Sequence, residues 1–166
     1  GGAMFLAMGL LAGILEAKNS GKGQVVDVAM TEGSAYLAMA CFGLASSGHW
    51  TDARESNPLD GGAPFWRCYE TKDGKHISIG AVEEKFYAIL LETLELDPAD
   101  LPGQLDPEGW PEIIETLDAK FKEKTRDEWC DIMEGTDICF GPVLSFSEAP
   151  HHPHNQARGS FVEVDG

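Results

Sequence analysis

The chain has 166 residues, which is enough for one domain, or for one domain and part of a second. With 28 acidic and 12 basic side chains, its formal net charge is -16. A surface this acidic repels nucleic acid and anionic membranes, so we expect neither as a partner.

The first predicted element is a helix from about Ala3 to Lys18. Its apolar part, residues 3–15, is shorter than the roughly 18–20 residues that cross a membrane, so we predict a helix buried in protein. The glycine-rich stretch at residues 19–23 ends it. A helix that is apolar on all sides needs neighbours on all sides. Part of its surroundings is therefore expected to be missing from this sequence.

A short strand and a second helix are predicted next. Residues 24–30 read QVVDVAM, a β-branched run that predicts a strand buried on at least one face. Thr31 is a suitable N-cap for an alanine-rich helix to about Ser47, and Glu32 favours its first turn. The order helix, strand, helix is typical of a layered α/β fold. Because one strand forms no sheet, we expect its partners in another part of the protein or in another copy.

Residues 49–63 are polar and turn-forming, and we interpret them as a linker. A β-hairpin is predicted over residues 65–80, because two β-prone runs flank the sequence from Lys72 to Lys75. The Asp-Gly pair in that sequence tolerates the positive φ angles of a tight turn.

Helices and one further strand are predicted after the hairpin. Apolar periodicity predicts helices around residues 86–91 and 110–121, and Thr125 with Glu128 forms a capping box for another. Residues 138–144 predict a strand at the edge of a sheet, because its proline cannot donate a ladder hydrogen bond. This region is expected to be a self-contained α+β unit, followed by a polar tail with a strand-like piece at its end.

Two groups of residues suggest metal binding at first sight. The chain has four cysteines: Cys41, Cys68, Cys130 and Cys139. Without C-x-x-C spacing, they favour free thiols in a reducing compartment over a zinc site or disulfides. The histidines at 151, 152 and 154 are interrupted by Pro153 in the polar tail, and we interpret them as a solvated loop with no metal.

Four segments carry a family resemblance. They are GGAMFLAMGLLAGILEAKNSGKGQVVDVAM, NPLDGGAPFW, YETKDGKHISIGAVE and TRDEWCDIMEGTDICFGPVLSF. In this order they resemble the α-methylacyl-CoA racemases of the family III CoA-transferase superfamily. The resemblance extends over almost the whole chain, and SGKGQVVDVAM and LDGGAPF are its more specific parts.

The resemblance implies a large domain with a Rossmann-like parallel sheet, which binds coenzyme A, and a small α/β domain. Residues 1–48 would be the terminal part of the large domain, 49–63 the linker, 64–144 the small domain, and 145–166 a segment that returns toward the large domain. The family forms homodimers of interlocked subunits, with each active site between the large domain of one and the small domain of the other. Since this chain is acidic, the basic groups that hold the coenzyme A phosphates are expected mostly elsewhere.

The reaction implied is inversion of the stereocentre beside the carbonyl of a 2-methylacyl-CoA thioester. A base removes the α-proton, an enolate forms, and an acid on the opposite face returns a proton. In the family these groups are a histidine in a G-H-D motif and an aspartate in a G-D-F motif, and this sequence has neither motif. Gly1 and Gly2 resemble the glycines that follow the aspartate, so we expect a C-terminal fragment that is inactive alone. Coenzyme A enters as part of the substrate, and no separate cofactor is expected.

Glu83 is the catalytic residue that the resemblance assigns. It matches the family's glutamate that hydrogen-bonds the catalytic histidine and fixes its orientation, as a carboxylate does in a triad. From the residues alone, it also suits the acidic N-terminus of a helix. Glu84 stands where the family commonly has proline, which leaves the start of that helix less well defined.

Four residues are candidates for substrate binding. Leu59, Trp66 and Val82 match positions that line the acyl pocket in the family, although each also suits ordinary hairpin core. Trp66 replaces a usual tyrosine. Asn57 lies in the same glycine-rich loop, where we interpret Asp60 as a turn-former.

Two other functions stay open. One is a CoA transferase of the same superfamily, in which the upstream aspartate is a nucleophile; the other is a non-catalytic scaffold with this fold. The sequence GGAPFW together with Glu83 favours the racemase. The resemblance implies the cytoplasm in a bacterium, and a peroxisome or mitochondrion in a eukaryote.

Overall fold

The computed structural model describes residues 1–164, which form two compact units. The first comprises Gly1–Asp52, and the second begins at Ala53. Within the described residues, no helix has both the length and the hydropathy that a membrane span requires.

The described part of the first unit is helical. Its helices are α1 (Gly2–Ser20), α2 (Met30–Leu37) and α3 (Met39–Ser46). The left-handed Gly21 ends α1 and donates its amide to the carbonyl of Ala17, as the glycine-rich exit predicted. None of the residues of α1 is buried, and Met4 and Leu11 are 76% and 69% exposed.

The strand predicted at residues 24–30 is wrong. Residues 22–29 form neither helix nor strand, and α2 already begins at Met30. A strand is defined by its ladder of hydrogen bonds to a neighbour, and the described residues of this unit offer no second strand. Val26 packs instead against α1, where a Cβ on Gly9 would lie 2.8 Å from its side chain.

The second helix of this unit also differs from its prediction. Ala29, in extended conformation, is the N-cap of α2, so Thr31 lies within the helix. Ala38 leaves the helical conformation and separates α2 from α3. The alanine-rich segment therefore forms two short helices.

The second unit contains an antiparallel sheet with strand order β1-β2-β3. The strands are β1 (Trp66–Glu70), β2 (His76–Gly80) and β3 (Phe140–Val143). The hairpin is confirmed: Trp66 lies opposite Gly80, and Gly74 in the turn has a φ of 73°. The edge position predicted for the proline-containing strand is also confirmed, because among the strands of the described residues β3 pairs with β2 alone.

Three helices of this unit lie between β2 and β3 in the chain, and a fourth follows β3. They are α4 (Glu84–Thr93), α5 (Trp110–Phe121), α6 (Arg126–Met133) and α7 (Pro153–Arg158). The predicted capping box is confirmed at α6: the Thr125 hydroxyl accepts from the Glu128 amide, and the Glu128 carboxylate accepts from the Thr125 amide.

The tail differs from its prediction in two places. His151 ends a single 3-10 turn, Ala149–His151, and His154 lies in α7, so the predicted loop is largely helical. Pro153 suits the first turn of α7, and His152 caps it by accepting from the amide of His154. Residues 161–164 form no strand, and the last two residues of the predicted segment 145–166 lie outside the described part.

The core lies on one face of the sheet. Tyr69, Ile77 and Ile79 point into it from the strands and are at most 4% exposed. The helices fill it with large apolar side chains, among them Leu90, Trp110, Ile113, Leu117, Phe121 and Trp129. On the opposite face Trp66 and Cys68 are exposed, and Ser78 is half-buried. The face of the sheet opposite the core is therefore open and can form the floor of a groove.

Candidate active site

The open face of the sheet forms the floor of a groove with a volume of about 1140 Å³. Residues from the loop before β1, from the three strands and from the start of α4 line it. The lining includes the side chains of Leu59, Trp66, Val82, Glu83, Phe86 and Cys139. The groove brings together all the predicted site residues except Asn57.

Glu83 occupies the junction between the sheet and α4. Its backbone is extended, and its carbonyl accepts the amides of Phe86 and Tyr87 in the first turn of the helix. Its side chain is exposed, does not cap the helix, and forms no hydrogen bond or ion pair within residues 1–164. The carboxylate is therefore available to a group that enters the groove.

Hydrogen bonds hold the backbone of residues 80–82, which lies directly before Glu83. The amide of Gly80 donates to the carbonyl of Cys139 at 2.9 Å, and the amide of Val82 donates to the carbonyl of Gly80 at 2.9 Å. From the loop between α4 and α5, the side-chain amide of Gln104 donates to two carbonyls of this peptide. Gln104 was not predicted as a site residue, since neither a motif nor a spacing links it to the hairpin.

Cys139 is a second residue that the sequence analysis did not assign to the site. It is exposed, lines the groove and has a φ of 58°. Desolvation, followed by the negative charges of Glu83 and Asp137, raises the pKa of its thiol. The thiol is therefore neutral near pH 7, and it adds no second negative charge beside Glu83.

The groove also has an apolar wall. Leu59 and Trp66 are 43% and 41% exposed, and both side chains line the groove. The indole of Trp66 lies against Gly80, where a Cβ would come within 3.3 Å of the ring. A free carboxylate beside an apolar wall suits a ligand with an apolar chain next to its reacting atom.

Asn57 does not face the groove. It is 2% exposed, and its side-chain amide donates to the Asp60 carboxylate at 2.7 Å. Asp60 also accepts from the amides of Asn57 and Gly62, which confirms it as a turn-former. Although desolvation acts to raise it, the pKa of Asp60 is lowered by these hydrogen bonds. Both residues therefore shape the loop that carries Leu59.

The described residues contain no group of three or more histidine, cysteine, aspartate or glutamate side chains arranged to hold a metal ion. In the tail, His152 lies 3.8 Å from the carboxylate of Glu134.

The whole chain, residues 1–166, matches the model of CoA-transferase family III. It is 44% identical over 166 residues to the alpha-methylacyl-CoA racemase of Mus musculus and 43% identical over 162 residues to that of Homo sapiens. These matches cover 100% and 98% of the chain but 43% and 42% of the relatives, so the chain spans less than half the length of these curated relatives.

The same fold occurs in a crystal structure of the hypothetical protein Rv3272 from Mycobacterium tuberculosis. The TM-score is 0.69 at 18% sequence identity, over 95% of this chain and 42% of that one. The match of the family model to the full length of the sequence shows that this chain belongs to CoA-transferase family III.

Proposed function

We propose that this chain is part of an α-methylacyl-CoA racemase, an isomerase that interconverts the R and S forms of 2-methylacyl-CoA thioesters. One observation carries the proposal: within residues 1–164, Glu83 presents an unpartnered carboxylate beside the apolar wall of the groove, in a chain 44% identical to a racemase. The groove would hold the acyl chain near the carbon that loses its proton.

Glu83 acts in this proposal on an imidazole supplied by another part of the complete protein. An ionised carboxylate that accepts a hydrogen bond from one ring nitrogen selects the tautomer and fixes the ring. The other nitrogen is then directed toward the α-proton of the thioester. This role requires an exposed carboxylate with no partner of its own.

The remaining architecture is part of the same proposal. Residues 1–48 would complete a Rossmann-like, coenzyme A-binding large domain, and two copies would interlock as a homodimer. The groove is lined by Glu55, Asp60 and Glu83, with Arg67 as a cation, so its charge disfavours phosphates. The phosphates of coenzyme A would therefore bind outside this groove.

The test is exchange of the α-proton of a 2-methylacyl-CoA in deuterated water, followed by mass spectrometry with the complete protein. Glu83→Gln should slow the exchange about 100-fold, because the neutral amide no longer supports a charged imidazole. Glu84→Gln is the matched control, since it removes the neighbouring carboxylate of the same helix turn, which lies outside the groove. Its exchange rate should equal that of the wild type.

Exchange that is absent while coenzyme A is transferred between acids would contradict the racemase and favour a family III CoA transferase. Absence of both activities would favour the scaffold. Residues 1–166 alone should show neither activity, because this sequence contains neither of the family's two proton-carrier motifs.

A further inference from the structure

The loop between α4 and α5 reaches back to the peptide that precedes Glu83. Gln104 lies half-buried in this loop. Its side-chain nitrogen Nε2 donates to the carbonyl of Ala81 at 3.2 Å and to the carbonyl of Val82 at 2.9 Å. One side chain thus holds the two residues directly before Glu83.

The chemistry of this contact specifies a primary amide. Both partners are carbonyl oxygens, so only the NH2 end of Gln104 can face them, and its two hydrogens serve one carbonyl each. Ala81 is fully buried, so its carbonyl would lack a partner if the amide were removed. A side chain of similar size without donors cannot replace these bonds.

Gln104 is itself held in place by the core. The indole Nε1 of Trp110 donates to the backbone carbonyl of Gln104 at 2.9 Å. Trp110 is 6% exposed and packs edge-to-face on Phe65, with 5.9 Å between ring centroids. The loop also closes tightly, because a Cβ on Gly109 would lie 2.2 Å from Pro102. The anchor of the Glu83 peptide is therefore connected to the centre of the unit.

The side chain of Glu83 has no hydrogen-bond or ion-pair partner within residues 1–164, so its backbone sets the region that the carboxylate can reach. We infer that Gln104 is a positioning residue for the racemase reaction: it holds the Ala81–Val82 peptide and thereby aims Glu83 at the catalytic imidazole. This inference rests on the proposed function. A displacement of about 1 Å in a catalytic group can cost up to about 100-fold in rate.

The first arm of the test is a double-mutant cycle in the complete protein, with α-proton exchange as the readout. Gln104→Met should lower kcat about tenfold and change KM by less than about twofold. In the Glu83→Gln background, Gln104→Met should cause no further loss of kcat, because Gln104 acts through Glu83. Losses that multiply, or a rise in KM alone, would overturn the positioning role.

The second arm does not depend on activity. The amides of Phe86 and Tyr87, which donate to the carbonyl of Glu83, should exchange with solvent about tenfold faster in Gln104→Met. Asn155→Leu is the matched control, since it also removes an amide that donates to a backbone carbonyl, that of Ala149 at 2.8 Å. It should leave both kcat and these amides unchanged.

The two arms separate the two proposals. A wild-type protein without α-proton exchange contradicts the racemase assignment. Unchanged exchange of the Phe86 and Tyr87 amides in Gln104→Met contradicts anchoring by Gln104, whatever the activity of the wild type.

Discussion

The two units of the chain bury their apolar side chains to very different extents. In the first, α1 has no buried residue, and Met8, Ile14 and Leu15 are all more than half exposed. In the second, the sheet and helices α4 to α6 enclose one continuous core, in which Ile77 and Phe121 have no exposed surface. The sequences of both units are nevertheless rich in apolar residues.

The difference shows that apolar content alone does not make a core. The second unit contains both the sheet and the helices that cover it, so its apolar residues meet one another. The first contains an apolar helix and an extended segment but no strand to build a sheet on. Its stability should therefore depend on the rest of the protein, whereas the second unit should resist unfolding by itself.

A large-to-small substitution in each unit tests this comparison directly, and the one in the second unit should have the largest effect. Phe121 is fully buried, with ring centroids 4.9 Å from Tyr69 and 5.4 Å from Trp129. Phe121→Ala should lower the free energy of unfolding by about 3–5 kcal/mol, since it removes these contacts and leaves a cavity. Urea titration of residues 1–166, followed by near-ultraviolet circular dichroism, measures this loss.

Ile14→Ala is the matched substitution in α1. Because Ile14 is 53% exposed, the free energy of unfolding of residues 1–166 should change by less than about 0.5 kcal/mol. In the complete protein the same substitution should cost more, since we propose that the rest of the large domain covers α1. A large loss in residues 1–166 would contradict the comparison.

The next largest expected effect is on the pH dependence of stability, and it comes from Glu148 in the tail of the second unit. Glu148 accepts two hydrogen bonds from Arg126, at 2.8 and 3.0 Å, and one from Lys75 at 3.2 Å. The Arg126 guanidinium, the amide of Ser145 and the Lys75 ammonium hold the pKa of Glu148 well below its usual 4.5. These contacts connect residues 145–151 to α6 and to the hairpin.

The sign of the pH dependence follows from the lowered pKa. The stabilisation by these contacts is complete above the unfolded-state pKa of 4.5, and it is lost as the pH falls toward the lower folded-state pKa. In that range Glu148 is protonated in the unfolded chain but still ionised in the folded chain. Glu148→Gln should therefore flatten the fall in melting temperature below about pH 5. Glu115→Gln, at an exposed carboxylate in the middle of α5 with no ion pair in residues 1–164, should keep the slope of the wild type.

The sequence predicted those parts of the fold that local signals determine. The Asp-Gly pair predicted the turn of the hairpin, and Thr125 with Glu128 predicted the start of α6. Both predictions were correct because each signal acts over only a few residues. The segment 24–30 has the composition of a strand, but a ladder requires a neighbour, and composition does not say whether one is present.

The candidate site shows the same division. The family motif predicted Glu83 as a site residue, and the structure places it in the groove. Asn57 was predicted to bind substrate, but its side-chain amide donates to the Asp60 carboxylate. Gln104 could not be found, because the carbonyls that it bonds meet it only after the loop between α4 and α5 has folded. Long-range hydrogen bonds to backbone carbonyls leave no trace in residue spacing.

Two glycines with the same φ angle, one in each unit, give a smaller effect and a matched comparison. Gly21, after α1, and Gly74, in the hairpin turn, both have a φ of 73°, and no atom lies within 4 Å of a Cβ built on either. Alanine at either position therefore meets no clash, and its cost comes from the left-handed backbone alone, about 1 kcal/mol. Gly74→Ala should lower the urea midpoint of the second unit accordingly.

Gly21→Ala should leave that midpoint unchanged, because Gly21 belongs to the first unit and the midpoint reports the unfolding of the second. Gly74→Asn should recover part of the loss, since asparagine tolerates this conformation better than alanine. Equal shifts for Gly21→Ala and Gly74→Ala would mean that both units unfold in one transition. The second unit would then not unfold independently of the first.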